Sequence, residues 1–292
     1  MEKCVETIVL ENGFDSRVEI IILDNDSSDH TEIVAKRFTQ SYSNVFYFKN
    51  KENIGMEKNI LKVLEYGRGK LLKLCNDYCL FNKGTLEELL DLIVDNCDQS
   101  SILYFHNKHN TSSVAICEDL NCFFKKVTYW PTWIGTFSIW KNDFDLFNNT
   151  QSFEGLLFPH LMMFLENFEA KKKVKIIYKP LFYDIPGIKK GGYDFFEVFV
   201  QNFVGKILHE VYSAGKINLI TLYEVKSAFY HNFLKKWSLR VIFEKNHSFK
   251  NDNISLIYKY FKFYPEFYLF IIYDMPKYKI LQGIKALKNN FF

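Results

Sequence analysis

Proline is scarce in this chain, with six in 292 residues, and glycine is modest at thirteen. That composition excludes collagen-like and low-complexity architectures. No apolar run approaches the roughly 20 residues that a bilayer-crossing helix needs. The most apolar stretches, Val198–Val204 and Tyr268–Tyr273, are far shorter. The N-terminus has no basic segment leading into an apolar one, as a secretory leader would. Cysteine is also limited: Cys4, Cys75, Cys79, Cys97, Cys117 and Cys122, with no CxxC pair and no accompanying histidine pattern. Zinc is therefore not expected, and reduced thiols in a cytoplasmic protein fit better than a secreted disulfide scaffold.

Aromatic side chains are abundant, with 30 Phe and 18 Tyr. Net charge is only +3, but it is unevenly spread. Residues 1–170 hold 16 Lys and Arg against 25 Asp and Glu, a net of −9, whereas residues 171–292 hold 21 against 9, a net of +12. An acidic half joined to a basic, aromatic half implies two roles. Basic aromatic surfaces suit anionic lipid or nucleic acid, but no nucleic-acid module is recognisable. A peripheral site on the inner face of the cell membrane is expected, with burial in a homo-oligomer or domain interface as the competing use of the tail.

Val18–Leu23 reads as a buried strand, and the acidic run Asp24-Asn25-Asp26-Ser27-Ser28-Asp29 then leads into a helix from Thr31. Strands at 45–48, 71–74 and 101–105 alternate with helices at 2–10, 56–66 and 85–96, the last with Thr85 and Glu88 spaced as a capping box. A helix at 155–168 and a strand at 174–178 follow. From Asp194 onward the pattern is helical. The fold class expected is α/β, a sandwich around a mixed, mostly parallel sheet over residues 1–183, with a basic helical region over 184–292. Ligands of such folds bind beyond the carboxyl ends of the strands, which puts Asp24 where a polar ligand would sit.

The motifs, in order, resemble those of the inverting, nucleotide-sugar-dependent glycosyltransferases of family 2, which have the GT-A fold. Residues 23–31, LDNDSSDHT, resemble that family's "VDDGSSDGT"; Asn53-x-Gly55 followed by Lys58-Asn59 resembles its "NxGxxxARN"; residues 71–80 stand where its strand runs into an acidic metal motif; and residues 84–94 resemble the helix beyond. The resemblance covers about residues 1–183 and is strongest over 18–95. It implies a nucleotide-diphospho-sugar donor, a glycan or lipid-linked acceptor in surface polysaccharide synthesis, and Mg²⁺ or Mn²⁺. The tail resembles those of capsule, O-antigen and teichoic-type transferases in composition only.

Two departures stand out. Residues 1–5 match the second half of the family's first helix, so the strand that precedes it is absent from this sequence. The slot beside residues 18–23 is expected to be empty or filled by a substitute. The acidic motif is reduced to Asn76-Asp77-Tyr78, and Asp26 stands where a glycine is usual. Both departures support an alternative: a catalytically inactive glycosyltransferase-like subunit that binds or scaffolds.

The resemblance assigns donor contacts to Asp24, Asn53, Gly55, Lys58, Asn76 and Asp77, with Asp77 as the metal ligand. Each has a plainer reading: Asp24 and Asp29 as helix-capping carboxylates, the others as turn residues. Lys189 and Lys190, set between glycines, are candidates for closing over the diphosphate, or an ordinary solvated loop. Inverting transfer needs a general base for the acceptor hydroxyl; the candidates are Glu154, Asp143 and Asp145, with His160 next. Glu154 also reads as a charge favoured at a helix start, and His160 as a packed histidine. Trp130, Trp133 and Trp140 are candidates to stack on acceptor sugars or to fill the core.

Overall fold

The aliphatic run Ile20–Leu23 builds strand β1 (Ile20–Asp24) in the computed structural model, which describes residues 1–108, 110, 113–147, 154–185, 191–244 and 248–291, with the backbone alone for Gly191 and 285–291. The chain divides into two units, Met1–Pro186 and Gly187–Phe292.

In the first unit, α1 (Glu2–Val9) precedes β1, and α2 (Thr31–Ser41), β2 (Val45–Lys49) and α3 (Met56–Tyr66) follow it. Then come β3 (Leu71–Lys73), β4 (Cys79–Phe81), α4 (Leu86–Val94), β5 (Ile102–His106), β6 (Val114–Cys117) and α5 (Leu120–Val127). Two 3-10 turns, Trp130–Thr132 and Ile134–Thr136, lead into β7 (Ser138–Trp140), α6 (Lys141–Leu146), α7 (Pro159–Lys171), β8 (Val174–Tyr178) and β9 (Phe182–Asp184).

The strand ladders are mixed rather than mostly parallel. β1 with β2 and β5 with β8 run parallel; β3 with β7, β4 with β9 and β6 with β8 run antiparallel. Side chains join what the ladders leave apart. Ser138 Oγ donates to Leu103 O at 2.6 Å, and the buried Trp140 indole donates to Ser101 O at 2.8 Å, tying β7 to β5. The Glu19 carboxylate accepts the backbone N–H groups of Arg68 and Gly69 at 2.5 and 2.9 Å, tying the start of β1 to the approach to β3.

The break expected beside β1 is present, since among the described residues its only ladder partner is β2. Residues 1–12 form α1 and no strand. Val5 and Val9 of α1 pack with Phe38 and Val45 and with the β1 residues Ile20 and Ile22. Cys4, on the same helix, lies 3.7 Å from Cys75 beyond β3. Helix α1 therefore reaches both sides of the break.

Two local expectations are corrected. Thr85 and Glu88 make no capping box: Thr85 donates to Asn82 O at 2.7 Å, Glu88 pairs with Lys179, and the Glu11 carboxylate accepts from Gly84 N at 2.7 Å at the entry to α4. Cys117 and Cys122 are joined as a disulfide with Cα atoms 5.5 Å apart, within the usual range. The tight turn from the end of β6 into α5 brings them together, whereas the sequence pattern led us to expect free thiols.

The second unit is helical around phenylalanines. β10 (Gly191–Asp194) pairs with β11 (Ser248–Lys250). Between them run a π-helical segment (Glu197–Ile207), α8 (Leu208–Ser213), α9 (Leu219–Phe229), a π-helical turn (Tyr230–Leu234) and α10 (Lys235–Phe243). After β11 come α11 (Ser255–Phe261), α12 (Pro265–Leu269), a further π-helical turn (Phe270–Asp274) and α13 (Met275–Phe291). Phe195, Phe196, Phe203, Phe229 and Phe261 are fully buried, and their rings meet mostly edge-on or tilted, as aromatic quadrupoles prefer. A Cβ at Gly205 would fall 2.4 Å from the Tyr260 ring, so only glycine lets that ring lie on the π-helical segment.

Candidate functional site

The carboxyl ends of β1 and β2 carry a polar network. Asp24, 3% exposed, accepts from Ser27 N at 2.7 Å through one oxygen and from the Tyr47 hydroxyl at 2.9 Å through the other. Burial alone would raise its pKa, but those hydrogen bonds and nearby Lys49 outweigh it and hold the carboxyl below the usual carboxylate value. Burial and Asp24 in turn push the Tyr47 hydroxyl well up. Asp24 is thus an ionised anchor of the β1–α2 turn, with both oxygens already engaged. Asp26 in that turn has φ +65°, the left-handed conformation that glycine adopts most easily. Asp29 accepts from Thr31 N at 2.9 Å at the start of α2, the capping role expected of it.

Asn25 organises the next loop. Its carbonyl accepts from Asn50 Nδ2 and Ile54 N, both at 3.0 Å, and its amide donates to Asn53 Oδ1 at 2.9 Å. Asn50 also donates to Asn59 at 2.9 Å and accepts from Lys62 at 2.6 Å. Asn53 accepts from Gly55 N at 3.0 Å, so it shapes the loop directly. Gly55 caps α3 at φ +81° with open space where a Cβ would be. Sequence reasoning singled out Asn53 and Gly55 and missed Asn25, Asn50 and Lys62. The close spacing of Asn50, Asn53 and Asn59 was the available signal; Asn25 joins them only in the fold.

Lys58, on the first turn of α3, lies 3.4 Å from Glu154, and both side chains are two-thirds exposed. The neighbouring Glu57 makes this possible: its carboxylate accepts from Gly155 N at 2.8 Å and from Leu157 N at 2.7 Å, fastening the segment before α7 to α3. A donor-site candidate and a base candidate, 96 residues apart in sequence, therefore meet. The other base candidates lie elsewhere. The antiparallel register Leu71↔Trp140 and Lys73↔Ser138 puts Trp140, and with it the start of α6, at the start of β3, the end away from Asp77. There Asp143 pairs with Lys171 at 3.1 Å and Asp145 with Lys141 at 2.8 Å. His160 is buried beside Phe137 and Phe158, and burial lowers its pKa to about 4; it is a packed histidine. Trp140 is 1% exposed and belongs to the core. Trp130 and Trp133 are half-buried, with rings 6.0 Å apart and edge-on.

Asp77, in the turn between β3 and β4, is 70% exposed and 3.9 Å from the N-terminal amine of Met1. Asn76 beside it contributes its carbonyl to Cys79 N at 3.1 Å. Tyr78 packs against the core cluster around Cys79 and Phe81. Among the described residues no group of three or more His, Cys, Asp or Glu is placed to hold a metal. A divalent ion here would take one oxygen from Asp77 and the rest from ligand and water, as Mg²⁺ sites commonly do. Lys189 and Lys190 lie outside the described residues.

Lys73 was missed by sequence reasoning. Its ammonium donates to the carbonyls of Leu74 at 3.1 Å and Phe137 at 3.2 Å, and to that of Gly135, with the Phe182 ring 5.3 Å away. Burial lowers its pKa to about 7. A cavity of about 620 Å³ lined by Phe14, Arg17, Glu19, Asn44 and Arg68 opens at the amino ends of β1 and β2. It lies away from the polar network, which is at their carboxyl ends.

Comparison with known proteins bears on the fold that carries these residues. Residues 1–142 match Glycosyl transferase family 2. The minor teichoic acid biosynthesis protein GgaB of Bacillus subtilis (strain 168) is 25% identical over 104 residues, 35% of this chain; the match spans 11% of that protein's length. Among solved structures, S. aureus TarS 1–349 superposes with a TM-score of 0.54 at 15% identity, covering 83% of this chain and 71% of that one. Its complex with UDP gives 0.52 at 13% identity with the same coverage. The mannosyltransferase PcManGT from Pyrobaculum calidifontis, in complex with GDP-Man and Mn²⁺, gives 0.50 at 12% identity over 98% of this chain and 82% of that one. The fold is GT-A-like, with mixed parallel and antiparallel strands and a distinct C-terminal helical region.

Proposed function

We propose, from the match of residues 1–142 to glycosyl transferase family 2, that the protein transfers a sugar, with inversion, from a nucleoside-diphosphate donor to a glycan or lipid-linked acceptor of a surface polysaccharide. The observation that carries this reading is that the matched residues contain the polar contacts of Asp24, Asn25, Asn50 and Asn53 and, apart from them, the exposed Asp77. The donor's base and ribose would lie against the β1–α2 and β2–α3 turns, formed by Asp24, Asn53 and Gly55. The exposed Asp77 carboxylate, beside Asn76, would hold a Mg²⁺ or Mn²⁺ ion; when bound, that ion neutralises the diphosphate as it leaves. UDP and GDP-Man with Mn²⁺ are bound by two proteins of like fold, which supports testing uridine and guanosine donors first.

Glu154 is the base this reading favours. Its carboxylate would take the acceptor hydroxyl proton while that oxygen attacks the anomeric carbon and the diphosphate departs from the opposite face. Lys58 beside it can exchange partners at little cost, because exposed ion pairs contribute about 0–1 kcal/mol. The second reading, an inactive binding subunit, is favoured by the single exposed carboxylate at the acidic motif.

The test is release of nucleoside diphosphate from a panel of uridine, guanosine, cytidine and thymidine diphosphate sugars with Mn²⁺ and candidate glycan acceptors. Turnover is expected with at least one donor. Glu154→Gln should lower it about 10²–10⁴-fold while leaving the melting temperature unchanged. No turnover with any donor, together with binding of a glycan or partner, selects the inactive subunit. Wild-type turnover from Glu154→Gln removes Glu154 from the mechanism.

A further inference from the structure

The last helical stretch of the second unit carries apolar residues on its outer side as well as its inner one. An ordinary surface helix turns apolar residues inward and polar ones to water. Here the inward row includes Phe267 and Phe270, then Asp274, which pairs with Lys235 at 2.6 Å, then Tyr278, whose hydroxyl donates to Glu244. The outward row carries Leu269 (62% exposed), Ile272 (75%), Ile280 (64%) and Ile284 (47%), at successive spacings of three, eight and four residues. Phe263, just before α12, is 86% exposed. Stripes of this size on a soluble surface mark a contact that something apolar covers.

Charge identifies what covers it. Lys259, Lys277 and Lys279 are exposed on the same stretch, and Lys262 is half-buried. Lys262 sits 5.2 Å from the Phe263 ring and Lys277 5.1 Å from the Tyr273 ring, so cations flank the apolar surface. The two acids of this stretch face elsewhere: Glu266 lies 3.8 Å from His231, and Asp274 is held by Lys235. A second copy seated here would bring lysines toward lysines. An anionic lipid surface satisfies both features, because acyl chains take the stripe and headgroups take the ammonium groups. Among the described residues no helix is long and apolar enough to cross a membrane, so the contact lies along the surface.

We propose that the outward face of residues 263–284 docks on an anionic phospholipid surface, with Ile272 and Ile280 reaching the acyl boundary and Lys262 and Lys277 at headgroup depth. This goes beyond sugar transfer and stands or falls separately from it. The test is co-sedimentation of the full chain with vesicles of phosphatidylcholine alone or mixed with phosphatidylglycerol, at low and high salt, with multi-angle light scattering alongside. The wild type should sediment with the mixed vesicles and weakly with the neutral ones. Lys262→Gln/Lys277→Gln should weaken binding about fivefold per lysine. Ile272→Ser/Ile280→Ser should remove the part that survives high salt, since screening acts on exposed charges alone. Unchanged circular dichroism confirms that both variants fold. Absence of wild-type binding to mixed vesicles, or equal binding by all three proteins, overturns the proposal. So does a wild-type dimer that Ile272→Ser/Ile280→Ser dissociates without vesicle binding, which identifies a second copy as the occupant.

Discussion

Asp24 shows how a residue can be legible in place while its partners are not. Its position after an aliphatic strand marked it in the sequence as the end of β1. Its partners, Ser27 N and the Tyr47 hydroxyl, come from a turn and from a neighbouring strand, and periodicity does not reveal the second. Its folded pKa lies below the ordinary value of 3.8. Between the two values the unfolded chain binds more protons, so stability rises with pH there. The stabilisation is complete above the unfolded pKa and is lost as pH falls through the depressed folded one. Asp24→Asn should cost about 1–3 kcal/mol near neutral pH and flatten the acid side of the stability profile. Urea titrations from pH 2.5 to 7 measure this; an unchanged acid limb would show that the carboxylate is not the anchor described.

Elements with strong periodic or β-branched signals were legible: α1, β1, α2, β2, α3, α4, β5 and β8 lie within a few residues of their expected bounds. The short strands β4, β7 and β9 were not. Each has three residues, and Cys79–Phe81 is a strand only because Phe182–Asp184 pairs with it from 100 residues away. The meeting of Lys58 with Glu154 was hidden for the same reason: it depends on Glu57 capping a distant turn. Lys73 acts at this scale, since its ammonium joins β3 to the turn before β7. Its pKa falls from 10.5 to about 7 through burial. Over that interval the unfolded chain holds a proton that the folded one has released, so this group makes stability rise with pH by at most about 1.4 kcal/mol per unit. Below about pH 7 the full cost of the buried charge is present. Lys73→Met should remove that slope, so the stability of the variant relative to wild type should fall from pH 7 to 10. A constant difference across the range would place the ammonium in solvent.

At the scale of the molecule, the acidic first unit and the basic second one were visible as charge alone, before any element was assigned. The break in the sheet was legible from the order of motifs. What spans it was not: α1 and the Glu19 carboxylate serve where a strand ladder would otherwise run. On the function proposed above, the carboxyl ends of β1, β2 and β3 together receive a nucleoside diphosphate and a divalent ion. Calorimetric titration with UDP, GDP, CDP and dTDP, each with and without Mn²⁺, tests it most directly. The expected result is binding of at least one nucleotide that depends on Mn²⁺ and weakens about 10–100-fold in Asp77→Ala, the range typical of disturbed metal sites. Binding by none of the four, or affinity and metal dependence unchanged in Asp77→Ala, would contradict it.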